Sequence, residues 1–524
     1  DGITSLSTST SGTSNFIAGV NAGNSITSGG NYNVVVGDEA GTAISTADYT
    51  TAIGYAAGTA VTTGVRQTLI GGLAGDALTT GDNNTAVGYN SLSAMTVGDR
   101  NVAVGVGTLA SANVTSNADT YNTAVGFDAG NDITTGTKNT LIGGLAGDAI
   151  TTGGANTAVG YSALTTSTTG SNNTSIGRES LRVTTTGSNN VGVGSYAMYD
   201  NTTGGSNVAI GESALSNNTT ASNNTAVGKS ALLANTTGAQ NTAVGEGSLG
   251  ANTTASFNTA LGENALASNT TGTQNVAVGQ ATLDTNTTGD NNTAVGRDAL
   301  TANTTASNNT AVGKAALSAN TTGINNVAVG KDALIASTTA NNNTAVGYDC
   351  LQANTTGASN VAVGKSALES NTTAANNTAV GFGSLGANTT GAGNVAVGSV
   401  ALDSNTTGSN NVALGADNLD TNTTGSDNTA VGKGALHFNT TASNNTAVGR
   451  SALLTNTTGA QNTSVGMNAL YGNTTGTDNT GIGQGALQGN TTASNNTAVG
   501  KAALSVNTTG ASNTAVGKSA LVAN

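Results

Sequence analysis

The stretch NTAVGKSALLANTTGAQ, residues 224–240, decides the architecture of this chain. The next stretch, NTAVGEGSLGANTTASF (residues 241–257), begins the same pattern again. The glycine of the word NTAVG recurs every 17 residues from Gly160 to Gly517, and no glycine of that series is missing. A fixed period of this kind is typical of a repeat protein, in which each unit packs mainly on its two neighbours.

The period divides the 524 residues into three expected segments. Residues 1–14 are rich in Ser and Thr and lie outside the period, which is typical of a lead-in or docking segment. Residues 15–158 are expected to form an N-terminal solenoid with variant repeats and a four-residue insert near Ser111–Thr120. Residues 159–524 form the regular array, and both parts together contain about 30 repeats.

The two types of repeat differ in the position of one aliphatic residue. In the common type, Leu stands four residues after the glycine, as Leu232 does after Gly228. In the variant type, that position is Gly41 or an equivalent glycine, and the aliphatic residue moves three places on, as Ile44 does. The variant repeats are confined to the N-terminal third, so we expect a changed cross-section there and no new domain.

The word NTAV alternates with the two-residue period of a β-strand. Large aliphatic side chains are usually buried, so we expect Val227 and Thr225 to face the interior of a coil. Ala226 and Asn224 should then face outward. A row of small alanines on an outer strand face predicts a contact between chains; the alternative is that Ala is only a small residue in a crowded strand.

The rest of the repeat predicts how the coil closes. Gly228 should form a corner that needs positive φ or a close backbone approach. Leu232 should return to the core on a second short strand, and residues 235–238 (NTTG) should form the outer turn. Seventeen residues are too few for a helical-hairpin repeat. The pattern therefore predicts an all-β parallel β-solenoid, a β-roll or β-helix of about 30 coils, on the order of 140 Å long at about 4.8 Å per coil.

Burying one Val and one Leu per coil gains less free energy than ordering 17 residues costs. Further burial between chains is therefore expected, and we predict self-association, as a homotrimeric rod or as an end-to-end filament. The filament remains an alternative because the open ends of a solenoid carry unpaired backbone groups.

The words NTAVGKSAL, NVAVGQATL and NTALGENAL resemble the head repeats of trimeric autotransporter adhesins of the YadA-like family, whose word is close to NSVAIGxxS. The complete 17-residue repeat with its ANTTG turn resembles repeats of bacteriophage tail fibres. The similarity covers almost all of the chain from Asn15 onward. It implies a left-handed parallel β-roll with three chains per rod, on a cell surface or a virion. The adhesin-head period is shorter than this one, and neither a stalk, an anchor nor a receptor domain is recognisable, so a shaft segment is expected.

Composition excludes several classes of protein. The chain has 75 Gly, no Pro, no Trp and one Cys. Its net charge is −13, and the sequence has no cluster of basic residues. These features argue against nucleic-acid binding and against a disulfide framework. No apolar run approaches the roughly 18 residues of a membrane span, so membrane insertion by this segment is not expected.

Few residues are candidates for chemistry. A lone His437 and a lone Cys350 supply neither a catalytic triad nor a metal site, and Cys350 occupies the position of Ala231, where a small buried residue is expected. We therefore predict a non-enzyme without catalytic residues, cofactor or metal. The residue after the corner glycine is often charged, with mixed signs, which predicts a solvated stripe. This stripe contains Glu212, Glu246, Glu263, Arg297, Lys314, Lys331 and Lys365.

The copies of Asn-Thr-Thr, as at Asn235 and Asn252, fit both a turn and the N-glycosylation rule, and the sequence leaves both open.

The leading hypothesis is a structural extracellular or virion fibre that gives rigid reach and surface attachment, with an unknown receptor-binding or anchoring element. An ice-binding solenoid with Thr rows is an alternative, although Thr225 is expected on the core face of the strand. A polysaccharide depolymerase would need a carboxylate cluster with aromatic residues, and the ten Tyr and five Phe look scattered.

Overall fold

The computed structural model describes residues 6–7 and 11–523. By its residue contacts the chain divides into two units, Asp1–Glu263 and Asn264–Asn524. No helix occurs in the described ranges. The segment boundaries expected at residues 14 and 158 stay predictions, and residues 1–5 and 8–10 of the expected lead-in lie outside the described residues.

Each coil contributes one strand, and the strands of neighbouring coils in a unit pair in parallel. Within β14 and β15, for example, Thr225, Ala226 and Val227 pair with the residues 17 positions later. This register confirms the parallel β-solenoid with a 17-residue period. In the first unit the strands are β2 (Phe16–Ala18), β3 (Val34–Val36), β4 (Thr51–Ile53), β5 (Thr68–Ile70), β6 (Thr85–Val87), β7 (Val102–Val104), β8 (Thr123–Val125), β9 (Thr140–Ile142), β10 (Thr157–Val159), β11 (Thr174–Ile176), β12 (Val191–Val193), β13 (Val208–Ile210), β14 (Thr225–Val227), β15 (Thr242–Val244) and β16 (Thr259–Leu261).

The second unit repeats the arrangement with equal regularity. Its strands are β17 (Val276–Val278), β18 (Thr293–Val295), β19 (Thr310–Val312), β20 (Val327–Val329), β21 (Thr344–Val346), β22 (Val361–Val363), β23 (Thr378–Val380), β24 (Val395–Val397), β25 (Val412–Leu414), β26 (Thr429–Val431), β27 (Thr446–Val448), β28 (Thr463–Val465), β29 (Thr480–Ile482), β30 (Thr497–Val499) and β31 (Thr514–Val516).

One further strand, β1 (Leu6–Ser7), breaks the parallel pattern. It pairs antiparallel with β2, with Leu6 opposite Ala18 and Ser7 opposite Ile17. The strand β2 also pairs in parallel with β3, so it has a partner on both sides.

The strands face the opposite way from the sequence expectation. Ala226 and Asn224 are fully buried, whereas Thr225 and Val227 are only half-buried on the outside of the coil. The expectation was wrong because the interior is too narrow for a larger side chain in this row. A methyl group placed at Gly192, which occupies the position of Ala226, would already lie 3.2 Å from Cγ of Leu181.

Leu232 is fully buried, as expected, but it lies in a turn and not on a second strand. Its φ of 52° is in the left-handed region, which is incompatible with an extended strand. The backbone N–H of Leu232 still donates a hydrogen bond to the carbonyl of Ser248 in the next coil, at 3.0 Å. The expectation of two strands per coil was therefore wrong, although the coils do stack along this side.

The variant repeats are explained by the same left-handed position. Gly41 occupies it with φ 52°, and glycine adopts this conformation without steric cost. A Cβ on Gly41 would lie 2.6 Å from Cδ1 of Ile44, so the moved aliphatic side chain fills the space that Leu fills elsewhere. Where this glycine is present, the strand row also accepts larger residues, namely Ile17, Val35, Leu69 and Leu141.

The corner glycine needs both features that the sequence suggested. Gly228 has φ 132°, and a Cβ there would lie 2.6 Å from the carbonyl carbon of Gly245 in the next coil. Any side chain would therefore be strained by its backbone angle and would also collide with the neighbouring coil.

Two columns of buried asparagines satisfy the backbone inside the coil. Asn224 donates from Nδ2 to the carbonyl of Gly238, which closes its own coil, and its Oδ1 accepts from the N–H of Asn241 in the next coil, both at 2.9 Å. In the second column, Asn235 donates from Nδ2 to Oδ1 of Asn218 at 3.0 Å and also to the carbonyl of Gly238. Burial of these amides is tolerated because they are hydrogen-bonded.

The pair Asn217 and Asn218 provides a matched test of this column. Asn218 is fully buried and bonds to both neighbouring asparagines, whereas Asn217 is exposed. We predict that Asn218→Ala lowers the free energy of local opening by about 1–3 kcal/mol, because buried partners lose their hydrogen bonds. Asn217→Ala should change it by less than about 0.5 kcal/mol.

Hydrogen exchange of peptides covering residues 201–241 measures this difference. Equal protection in the two variants would contradict the buried Asn column.

Candidate functional site

Each unit has an outer strand face, formed by the first and third residues of β2 to β16 in the first unit and of β17 to β31 in the second. In the described strands the first residue is Thr, Val or, once, Phe, and the third is Val, Ile, Leu or, once, Ala. No charged or amide side chain occurs in these two rows. Many third-row side chains are well exposed, from 36% for Val380 to 71% for Val516. The arrangement is a two-row strip of methyl and hydroxyl groups.

The interchain contact expected at the Ala row is wrong, because Ala226 and its equivalents line the coil interior. The accessible strip consists of the Thr and Val rows instead. Sequence reasoning found that the two faces differ but reversed them, since a two-residue period does not say which face is inside.

The charged stripe lies where the sequence predicted it. All seven named members, from Glu212 to Lys365, are exposed. Arg297 pairs with the neighbouring Asp298 at 3.2 Å, and Lys331 pairs with Asp332. Exposed pairs of this kind contribute little stability, so the stripe is a solvated surface.

His437 is half-buried in a shallow depression of the second unit, beside Lys433 and Arg450. Its Nδ1 lies 3.0 Å from the main-chain carbonyl of Asp417, and its ring packs edge-on against Phe438 with centroids 4.4 Å apart. A backbone carbonyl is the partner of this nitrogen, whereas a catalytic triad needs a carboxylate there. The depression thus brings the histidine close to charged residues without assembling a triad.

Cys350 is a small buried residue, as predicted. Its side chain is fully buried, and Sγ lies 3.2 Å from the carbonyl of Ala362. Burial raises the pKa of this thiol to about 12. The reactive thiolate is therefore not formed near neutral pH.

Sequence reasoning missed two half-buried carboxyl groups. Asp76 and Asp148 stand in the repeated stretch TLIGGLAGDA, and burial raises the pKa of both, that of Asp148 to about 6. In each, Oδ1 is buried without a hydrogen-bond partner among the described residues. The duplication of this stretch was the signal that could have drawn attention to them. Within the described part of the chain, no group of three or more His, Cys, Asp or Glu could hold a metal ion.

The Asn-Thr-Thr turns do not present their asparagines to solvent. Asn235 and Asn252 are fully buried, and Nδ2 of each donates within the second asparagine column. A glycan on either nitrogen would have to open the coil. The turn interpretation of these words therefore holds in the folded chain, and the glycosylation interpretation does not.

No protein-family model matches this chain, and no curated protein matches it significantly. Among the described residues, no helix has the length and apolar character needed to cross a bilayer.

Proposed function

We propose that this chain is a segment of a structural fibre, extracellular or on a virion, that provides rigid reach and surface attachment. The observation that supports the proposal is that, within each unit, every coil stacks on the next at all sides of its perimeter. Coils of one unit are joined at the strand, where Thr225 N–H donates to Asn241 O at 2.9 Å. They are also joined at the turn, where Thr236 N–H donates to Thr253 O at 2.9 Å.

This stacking is a basis for stiffness. The Leu turn adds a third line of backbone hydrogen bonds, and the two buried Asn columns add side-chain bonds inside the coil. Bending a stack would lengthen bonds on at least one of these lines, whichever way it bends. A chain whose backbone and buried side chains bind mainly to neighbouring coils is suited to a mechanical role rather than to catalysis.

The outer strand face supports self-association. A continuous apolar strip on a soluble protein marks an interaction surface, and the resemblance to trimeric adhesins favours three copies that meet along this strip. Lateral association is favoured over a head-to-tail filament because β1 already pairs with the free edge of β2.

Electron microscopy and native mass of the purified chain test this proposal. We expect elongated particles on the order of 140 Å long, with a mass three times 50.2 kDa. Replacing Val278, Val295 and Val312 together by Lys should release monomers, because charges would be buried in the contact. The matched control replaces the exposed turn residues Thr271, Thr288 and Thr305 by Lys and should remain trimeric. Compact particles would contradict the fibre, and elongated particles of 50.2 kDa would contradict only the trimer.

An ice-binding solenoid is the second candidate, and one observation favours it. Thr225 points outward with Val227, so the objection that it faces the core is removed. The two rows form a flat grid of about 4.8 Å between coils and about 7 Å along the strand. Thr occupies the first row in 20 coils.

A thermal-hysteresis assay decides this second candidate. If the face binds ice, the wild-type chain shows a freezing gap, the Val→Lys triple variant loses it and the Thr→Lys control keeps it. Absence of hysteresis in the wild-type chain rejects ice binding and leaves the fibre proposal untouched.

A further inference from the structure

Four aromatic residues of the first unit follow a regular spacing along the coils. Across the coils of β4 to β10, the residue after the corner glycine alternates between an aromatic ring and a smaller side chain. In chain order these residues are Tyr55, Gly72, Tyr89, Val106, Phe127, Gly144 and Tyr161. The four rings, here named the aromatic column, are among the most exposed apolar side chains, at 63%, 59%, 59% and 58%.

Backbone hydrogen bonds place these residues in one row. The carbonyl of Tyr55 accepts from the N–H of Leu73 at 2.9 Å, and the carbonyl of Tyr89 accepts from the N–H of Gly107 at 3.0 Å. The carbonyl of Val106 likewise accepts from the N–H of Asp128 at 3.0 Å, so the insert in that coil does not interrupt the row. Val102 in β7 accordingly stays in register with Thr123 in β8.

The rings are two coils apart. Tyr32 and Tyr49, which lie in adjacent coils elsewhere in this unit, stack with ring centroids 5.1 Å apart. Members of the aromatic column alternate with non-aromatic coils, so their attachment points are separated by about 9.6 Å. At that distance the rings do not stack on one another, and each of the four residues is 58% to 63% exposed.

The glycines between the rings leave room for them. A Cβ on Gly72 would lie 3.4 Å from Cδ2 of Tyr89, and a Cβ on Gly144 would lie 3.8 Å from Cδ2 of Tyr161. Each of these tyrosine rings thus lies beside the glycine of the preceding coil. The trio of ring, glycine and ring occurs twice, once with Gly72 and once with Gly144 at its centre.

We propose that the aromatic column binds an extended β-1,4-linked glycan, a glucan or an N-acetylglucosamine polymer. Such a chain forms a flat two-fold ribbon, in which every second sugar presents the same face. That repeat matches the spacing of about 9.6 Å between ring positions in the column. The apolar C–H face of a pyranose ring packs on an aromatic face, while hydroxyl groups at its edge stay in water.

The lack of charged residues in the row favours an uncharged polymer. None of the seven residues in the row is charged, whereas an aromatic platform for single-stranded nucleic acid also needs a positive groove. A comparison is offered by Tyr348 and Phe382 in the second unit, which are also two coils apart. There Lys331 Nζ lies 4.9 Å from the Tyr348 ring centroid, and Lys365 lies near both rings. Cations cover those faces, so we assign the glycan site to the first unit.

The proposed glycan site does not depend on the proposed fibre, because a monomeric chain carries the complete aromatic column. Binding is therefore measured together with the native mass, and the two proposals can fail separately.

The test is depletion of the purified chain from solution by crystalline cellulose and by chitin particles, with cross-linked dextran as a polymer of different linkage. We expect binding to cellulose, chitin or both, and none to dextran. Tyr89→Ala should lower the association constant roughly threefold to tenfold. Replacement of all four rings by Ala should abolish binding. The control Phe257→Ala removes an equally exposed ring outside the column and should leave binding unchanged.

A second variant separates spacing from general stickiness. Gly72→Tyr combined with Tyr89→Ala keeps the number of rings but moves one ring by a single coil. Gly72 does not have positive φ, so this position accepts a side chain once Tyr89 is removed. We expect binding as weak as that of Tyr89→Ala alone.

Wild-type affinity in this double variant, or failure of the wild-type chain to bind either polymer, would overturn the proposal. Binding of single-stranded DNA that is lost with the four rings would also overturn it, by assigning the column to nucleic acid. Far-ultraviolet circular dichroism confirms that each variant is folded.

Discussion

The structure depends on the small volume inside a 17-residue coil. The strand residue Ala226 and the turn residue Leu232 are both fully buried in this space. Where glycine replaces Leu in the turn, as at Gly75, the strand row accepts Leu69, and a Cβ on that glycine would lie 2.8 Å from Leu69. In this coil a larger strand residue thus occupies the space that the smaller turn residue leaves, as expected for close-packed interiors.

A narrow apolar core leaves backbone groups that must find partners. The two Asn columns meet this need, because an amide side chain both donates and accepts and repeats the same bonds in each coil. In the variant coils the second column is aliphatic, with Ile44 and Ile150 where later coils have Asn. The variant coils that have an aliphatic residue in place of this Asn also have the glycine in the turn. The first column therefore closes nearly every coil, whereas in the second column aliphatic packing in the early coils is replaced by hydrogen-bonded Asn in the later coils.

Much of this fold follows from the sequence, and the exceptions have physical reasons. The period, the strand, the strained corner at Gly228 and the burial of Leu232 and Cys350 were all predicted. The facing of the strand was not, since alternation identifies two faces and only the enclosed volume decides between them. The left-handed angle at Leu232 is unusual for a large residue, and the sequence carried no turn signal there.

The aromatic column recurs every second coil, as from Tyr55 to Tyr89. It is therefore found by comparing repeats two coils apart and not by comparing adjacent repeats. The raised pKa of Asp148 depends on burial that only the folded coil supplies.

The central claim, that Ala226 faces inward and Val227 outward, is tested most directly by thiol labelling. Cys350 is buried, and its raised pKa leaves a low background in the folded chain. Ala226→Cys should fit, because Ser464 occupies the same row. We predict that Val227→Cys reacts with a maleimide much faster than Ala226→Cys does in the native chain, and that both react alike after unfolding. Faster labelling at position 226 would contradict this account.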